Sequence, residues 1–253
     1  PLRIGMIGYG FMGRAHTNGY KRVGDFFPEL KYRPVLQAAC ARDAAKVKAF
    51  ADQWGYESTE TDWRKLVDDP AVQAIVIASP QETHHDIARA AFASGKHVLC
   101  EKPIAITAKE AAQLKKAPKN IHIAEAFMVR HASQWLAARG RVKKGEIGDV
   151  RMINVVFAYF NRDPKNVRNM ADIGGGGFLD IGCYPITVSR FIFGAEPKAV
   201  TATIERDPKF KTDRTAGGLA DFGNGRHLSF SISTQTAPFL SAASASDVPS
   251  APL

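Results

Sequence analysis

A doubly wound parallel α/β sheet, followed by an α+β domain built on a mostly antiparallel sheet, is the fold that three features of this chain predict. The first is a β-type run at residues 2–7 that ends in clustered glycines and continues into a helical pattern. The second is an alternation of short apolar runs with helix-patterned segments over roughly the first 120 residues, the grammar of β-α-β units with right-handed crossovers. The third is a change near Asp149, after which the apolar runs lengthen and mostly follow one another. At 253 residues the chain suits two modest domains. They are expected at 1–125 and 126–238, with 239–253 an irregular tail.

Each element has its own signal. Residues 2–7 and 34–40 read as the first two strands. Residues 43–54 carry Val47, Phe50, Ala51 and Trp54 on one helical face, and Asp62 is a suitable N-cap for a helix over 63–67. The run Ala74-Ile75-Val76-Ile77-Ala78 is continuously apolar, as in a strand buried on both faces, and Ser79-Pro80 stops it. A helix over 82–94 closes on Gly95, and 97–100 forms another strand. Thr107 caps a helix through Lys116, and 121–126 gives a further strand. In the second half, strands are expected at 150–159, 199–204, 218–222 and 227–233, with a helix-like stretch between Phe178 and Phe193. Asn224-Gly225 is a hairpin turn signal, and Pro185 is expected to kink the helix around it. After Pro238 the chain is rich in Ser, Ala and Pro without periodicity, the composition of a disordered end.

The glycines after the first strand have the spacing G-x-G-x-x-G at Gly8, Gly10 and Gly13. Gly8 makes the tight turn and Gly10 clears room for a pyrophosphate. Gly13 lets the next helix pack close, its N-terminal N–H groups facing the anion. The motif counts because it follows a strand and opens a helix (residues 14–23), so the first domain reads as a Rossmann dinucleotide-binding sheet.

Bulk properties exclude several other classes. The net charge is +9, but Lys and Arg are scattered, as in Arg139, Arg141, Lys143 and Lys144, and are not interleaved with aromatics. That argues against a nucleic-acid partner. No apolar run approaches the ~20 residues of a membrane span and no signal segment leads the chain, so a cytoplasmic protein without membrane contact is expected. The three cysteines, Cys40, Cys100 and Cys183, form no C-x-x-C, and the seven histidines have no ligand spacing. Neither a disulfide nor a metal site is expected. Cys40 and Cys100 read as small buried residues, and His84-His85 as a helix start.

Two segments point to chemistry. Glu101-Lys102-Pro103 follows a strand directly, and ligands in such sheets lie beyond the strands' carboxyl ends, which directs Lys102 toward the cofactor crevice. Farther on, Gly174-Gly175-Gly176-Gly177 precedes Asp180 and Tyr184, which at i, i+4 share a helix face. The four glycines permit a close backbone approach to a ligand.

Taken with G-Y-G-F-M-G-R-A-H at 8–16, S-P-x-x-x-H at 79–84, G-K-H-V-L-C-E-K-P at 95–103 and G-G-G-x-L-D-I-G-C-Y at 175–184, these segments give a clear likeness. Up to about Pro238 the chain resembles the glucose-fructose oxidoreductase / inositol dehydrogenase (Gfo/Idh/MocA) family. Tyr184 makes it most similar to the branch of sugar and dihydrodiol dehydrogenases, because inositol dehydrogenases have histidine there. Residues 164–169 also resemble that branch's substrate loop.

The resemblance implies hydride transfer between a nicotinamide and a carbinol of a sugar, polyol or cyclic diol. Lys102, Asp180 and Tyr184 would be catalytic, and Arg130, Asn166 and Arg168 would join them against the substrate. Gly8, Gly10, Phe11, Met12, Gly13, Ala41, Arg42, Ser79, Pro80, His84, Glu101 and Lys102 would surround the cofactor. A free tyrosine, with pKa ~10, is too weakly acidic to serve as a base near neutrality unless a cation such as Lys102 favours its phenolate. Whether Tyr184 or Lys102 moves the proton stays open at this point.

Ala41 stands where NAD-selective folds place an acid, and Arg42 follows with a guanidinium suited to a 2′-phosphate. NADP is therefore expected, with NAD the alternative if Asp43 turns inward. Family members run longer than this chain, so a shortened second sheet is expected. That sheet would carry homo-oligomer contacts, and a nucleotide-binding protein without turnover is the alternative function.

Overall fold

The computed structural model describes residues 1–246, and two units emerge from it, Pro1–Ala126 and residues 127 onward. The first contains β1 (Leu2–Ile7), α1 (Phe11–Phe26), β2 (Pro34–Cys40), α2 (Ala44–Trp54), β3 (Ser58–Glu60), α3 (Trp63–Asp68), β4 (Ala74–Ile77), α4 (His84–Ala93), β5 (His97–Glu101), α5 (Ala108–Leu114) and β6 (Ile123–Ala126). Its six strands are all parallel, in the order β3-β2-β1-β4-β5-β6. This is the predicted doubly wound sheet. Strand β3 had no signal in the sequence, because Ser-Thr-Glu at a sheet edge carries no apolar run.

Alternation sorts the strand residues into two buried layers. Ile7, Ile75 and Ile77 pack with Leu66, Ile87 and Val98 on one face. Ile4, Met6 and Val76 pack with Val47 and Phe50 on the other. The helices after Asp62 and Thr107 are capped as the sequence suggests, and Asp43 caps a third. Asp43 accepts from the Lys46 N–H and Asp62 from that of Arg64, while Thr107 and Glu110 form a reciprocal capping box. Cys40 and Cys100 are buried as expected. Burial, with the nearby Glu60 and Asp62 charges, pushes the Cys40 thiol up to about 12, so it is a packing group and not a nucleophile.

The second unit contains α6 (Ser133–Lys143), β7 (Val150–Phe160), α7 (Cys183–Phe193), β8 (Ala199–Arg206), β9 (Asp213–Gly223), β10 (Arg226–Ser233) and β11 (Gln235–Ser246). The sheet order is β11-β7-β10-β9-β8, antiparallel except for β7 beside β10. Its core joins Val155, Phe230 and Ile232 of the sheet to Val188, Phe191 and Ile192 of α7. Asn224 and Gly225, at φ 56° and 70°, form the predicted two-residue turn between β9 and β10.

One expectation is refined and one corrected. Pro185 does not end the helix. It is the third residue of α7, and the irregularity expected around it takes the form of the π-helical turn over Phe178–Gly182 just before. The irregular tail expected from residue 239 is strand as far as Ser246, paired with β7 from Phe239↔Ala158 to Ser246↔Val150. A backbone ladder needs no apolar periodicity, which is why a Ser/Ala run concealed it. The remainder of that expected tail, 247–253, lies outside the described residues.

Asp207, in the β8–β9 connection, ties this sheet together. Its carboxylate accepts from the Lys209 and Phe210 N–H groups and from Gln235 Nε2 at the start of β11. The Phe210 N–H, then the Gln235 amide, hold its pKa down at about 2. An unfolded aspartate titrates near ~3.9, so this stabilisation is present above that pH and lost as pH falls toward the folded value. Asp207→Asn should therefore flatten the acid-unfolding profile between about pH 4 and 2 in circular dichroism. A variant with the parent's acid profile would exclude Asp207 as its source.

Candidate active site

The glycine turn lies where the sheet's strand order reverses, beyond the carboxyl ends of β1 and β4. Helix α1 starts at Phe11, earlier than expected, so Phe11, Met12 and Gly13 form its first turn. The amides of that turn have no helical acceptor and suit an anion. Gly8 has φ +104°, and a Cβ on it would overlap the Ala78 carbonyl. A Cβ on Gly13 would overlap the Gly8 carbonyl, whereas one on Gly10 would meet no protein atom within 4 Å. The turn is thus closed toward the protein at Gly8 and Gly13 and open at Gly10, as a phosphate-binding turn requires. Phe11 is 75 % exposed beside it.

After β2, Ala41 and Arg42 lead into α2. Arg42 is exposed, while the Asp43 carboxylate is engaged by the Lys46 N–H at 3.0 Å and the Lys46 ammonium at 3.3 Å. Those contacts, the Lys46 N–H first, hold the Asp43 carboxyl below its usual range.

Beyond β4, Ser79 Oγ lies 2.6 Å from Thr83 Oγ1. The sequence suggests His84 both as a helix start and as a cofactor contact, and it does begin α4. It is buried, its ring nitrogens 2.7 and 2.9 Å from the carbonyl oxygens of Pro103 and Ser79. It thus braces the Ser79-Pro80 segment and the Glu101-Lys102-Pro103 segment together. Lys102 directly follows β5, and its peptide bond to Pro103 is cis. Glu101 is nearly buried, with Oε1 2.7 Å from His16 Nε2 and Oε2 accepting from the Lys102 N–H at 3.3 Å. His16, one turn after Gly13 on α1, joins this group without having been assigned a role from sequence.

Asp180 and Tyr184 belong to the second unit and are brought together on the π turn and the start of α7. Tyr184 packs its ring against Phe127 and Phe157, with centroids 5.0 and 5.6 Å away. Asp180 Oδ2 accepts from Tyr159 Oη and from Arg168 Nε, each at 2.7 Å. Burial, then the Asp180 charge and hydrogen bond, push the Tyr159 phenol far above its usual range. Burial alone would lower the Arg168 pKa, but Asp180, Tyr159 and Tyr184 raise it overall. Tyr159 was not anticipated. Its one trace in the sequence is that it shares a strand face with Phe157, two residues away.

The other expected substrate contacts separate. Asn166 Oδ1 accepts from the Arg168 N–H and so shapes the turn that carries Arg168. Arg130 lines a cavity of about 390 Å³ with Arg139, Thr187 and Arg190, toward the C-terminal end of α7 and not at Tyr184. The glycines at 175–177 face the chain itself. A Cβ on Gly175 would meet the Met170 carbonyl, one on Gly176 would meet the Asp213 carboxylate, and the Phe178 N–H donates to Asp213 at 2.5 Å. Their small size therefore serves internal packing, in place of the expected approach to a ligand.

Comparison with known families agrees with this geometry. Residues 2–125 match the oxidoreductase family with an NAD-binding Rossmann fold, and residues 135–242 match the GFO/IDH/MocA C-terminal domain. The chain belongs to the GFO/IDH/MocA family. An uncharacterized oxidoreductase of Rhizobium meliloti is 38% identical over 202 residues, covering 79% of this chain and 60% of that protein. Levoglucosan dehydrogenase of Pseudarthrobacter phenanthrenivorans is 34% identical over 213 residues, covering 80% of this chain and 54% of that one. The chain therefore spans little more than half the length of these two relatives. A levoglucosan dehydrogenase structure in complex with NADH and levoglucosan superposes with TM-score 0.88 at 28% identity, covering 96% of this chain and 70% of that one. No helix among the described residues is long and apolar enough to cross a membrane.

For this GFO/IDH/MocA protein, Gly13→Ala should displace the start of α1 and weaken nicotinamide-nucleotide binding about tenfold or more, a loss of ~1.4 kcal/mol. Titration of the protein against the fluorescence of reduced nucleotide measures it. Undiminished affinity would remove the glycine turn from the binding site.

Proposed function

We propose that the chain is an NADP-dependent dehydrogenase that oxidises a carbinol of a sugar, polyol or cyclic diol. The observation carrying this reading is the glycine turn, closed to side chains at Gly8 and Gly13 and open at Gly10, which fits a dinucleotide pyrophosphate. Preference for the phosphorylated nucleotide is supported at the end of β2. Asp43 is committed to capping α2 and so is not available to a ribose, while Arg42 remains exposed to meet a 2′-phosphate. The relatives named for levoglucosan support the substrate class.

When bound, the oxidised nicotinamide supplies the hydride acceptor. The chain's own residues handle the proton. The carbinol O–H gives its proton to the Tyr184 phenolate as the C–H hydride departs and the carbonyl forms. Cationic Arg168 favours that phenolate, and the influence of Tyr184 on Arg168 supports this. Asp180 orients a neighbouring hydroxyl. Ring contacts with Phe127 and Phe157 restrict Tyr184 to one orientation.

The test is turnover of a panel of aldoses, anhydrosugars, inositols and cyclic diols with NADP or NAD, followed by absorbance of the reduced nucleotide. Lys102→Ala should abolish it. Arg42→Ala should weaken NADP binding about tenfold while leaving NAD binding unchanged, as expected for loss of a charge-assisted phosphate contact. Nucleotide binding without turnover across the panel would favour a binding protein instead.

Assembly through the second sheet is part of the same reading. Val200 and Ile204 on β8, and Phe239 and Leu240 on β11, leave apolar side chains exposed at both sheet edges. Light scattering should give a multiple of the 27.5 kDa chain mass. A monomer at working concentration would reject it.

A further inference from the structure

The proposed chemistry gives Asp180 a hydroxyl to orient but does not say what holds Asp180 itself. The answer lies on β7. Phe157 and Tyr159, two residues apart, project from the same face of that strand. Tyr184 and Asp180, four residues apart, share one face of the π turn and helix that follow. The two pairs meet in register, Phe157 against the Tyr184 ring and Tyr159 Oη on Asp180 Oδ2 at 2.7 Å.

We propose that Tyr159 is a positioning residue for the reaction: with the Arg168 guanidinium it fixes Asp180 by the Oδ2 edge, so that the carboxylate meets the substrate hydroxyl in one orientation. Two donors on one oxygen, one from β7 and one from the turn that carries Arg168, restrain rotation about the side chain's last bond. Substrate alignment depends on such restraint. Arg168, read from sequence as a substrate contact, is in this account the second half of the clamp, delivered by the turn that Asn166 caps. The phenol of Tyr159 is held neutral by burial and by the adjacent Asp180 charge. It therefore acts only as a donor and leaves proton transfer to Tyr184. The ring has packing value of its own, since it borders the sheet's core. The hydroxyl is the separable part.

This inference rests on the dehydrogenase reading, and Tyr159→Phe tests it by removing the hydroxyl and keeping the ring. The whole chain and the variant are compared for NADP affinity, for kcat and KM on the best substrate of the panel, and for melting temperature. The expected result is about a tenfold fall in kcat/KM with NADP affinity and melting temperature unchanged. In an Asp180→Asn background the same substitution should add nothing, because the two residues act as one unit. Full activity in Tyr159→Phe, or an equal loss on top of Asp180→Asn, overturns the proposal while leaving the dehydrogenase reading intact. If the unaltered chain shows no turnover, that reading fails separately. The clamp is then read by calorimetric titration of levoglucosan into each protein saturated with NADP. A tenfold weaker affinity in Tyr159→Phe sustains it, and equal affinities, or no binding to the unaltered chain, overturn it.

Discussion

The first unit depends on one exclusion: no Cβ fits at Gly8 or Gly13, where the turn after β1 runs into α1. The carbonyl of Gly8 occupies the space a Cβ of Gly13 would need, and the Ala78 carbonyl occupies that of Gly8. With those two positions bare, α1 can begin three residues after the turn's first glycine, its first amides unsatisfied within the helix. The same closeness brings His16, one turn farther along α1, to the Glu101 carboxylate at the end of β5. The dinucleotide turn and the segment bearing Lys102 are thus mechanically linked within one sheet.

In the second unit the comparable constraint is the meeting of two periodicities. A strand repeats every two residues and a helix nearly every four, so Phe157/Tyr159 and Tyr184/Asp180 pair when β7 and α7 pack face to face. The π turn at Phe178–Gly182 belongs to this arrangement. It widens the helix before Pro185, where a regular turn would lack an N–H donor, and it is also where Asp180 sits. Backbone irregularity and the proposed chemistry coincide there, a frequent feature of π turns.

Most of the fold was legible in the sequence because its signals are local. Apolar runs marked β1, β2, β4 and β5, and the N-caps Asp62 and Thr107 marked two helix starts. The elements that escaped had little local hydrophobic signal. Strand β3 is three polar residues at an edge, and the end of β11 is alanine and serine held by a ladder with a strand more than 70 residues away. The candidate site divides in the same way. Motifs carried by consecutive residues, the glycine turn and Glu101-Lys102-Pro103, could be placed from sequence. The Tyr159–Asp180 contact spans 21 residues and the His16–Glu101 contact 85, and no local pattern announces either. The internal use of Gly176 was hidden for a related reason, since the Asp213 carboxylate that fills its space comes from β9.

The hidden contacts have a common chemistry. The chain has 25 acidic residues against 34 lysines and arginines, and several of the acidic ones at element ends act as ties between separate segments. Glu101 joins α1 to the Lys102 segment, and Glu125 receives the Ile104 N–H. Asp207 joins the β8–β9 connection to β11, and Asp213 receives the Phe178 N–H at the π turn. A carboxylate suits this role because its two oxygens accept several donors at once, and charge-assisted bonds are the strong ones. Asp180 uses the same device with a difference. Two of its donors are side chains, on a strand and in a loop, so this part of the restraint can be removed one side chain at a time. In the proposed reaction, that difference separates a tie that holds the fold from one that aims the carboxylate at a substrate hydroxyl.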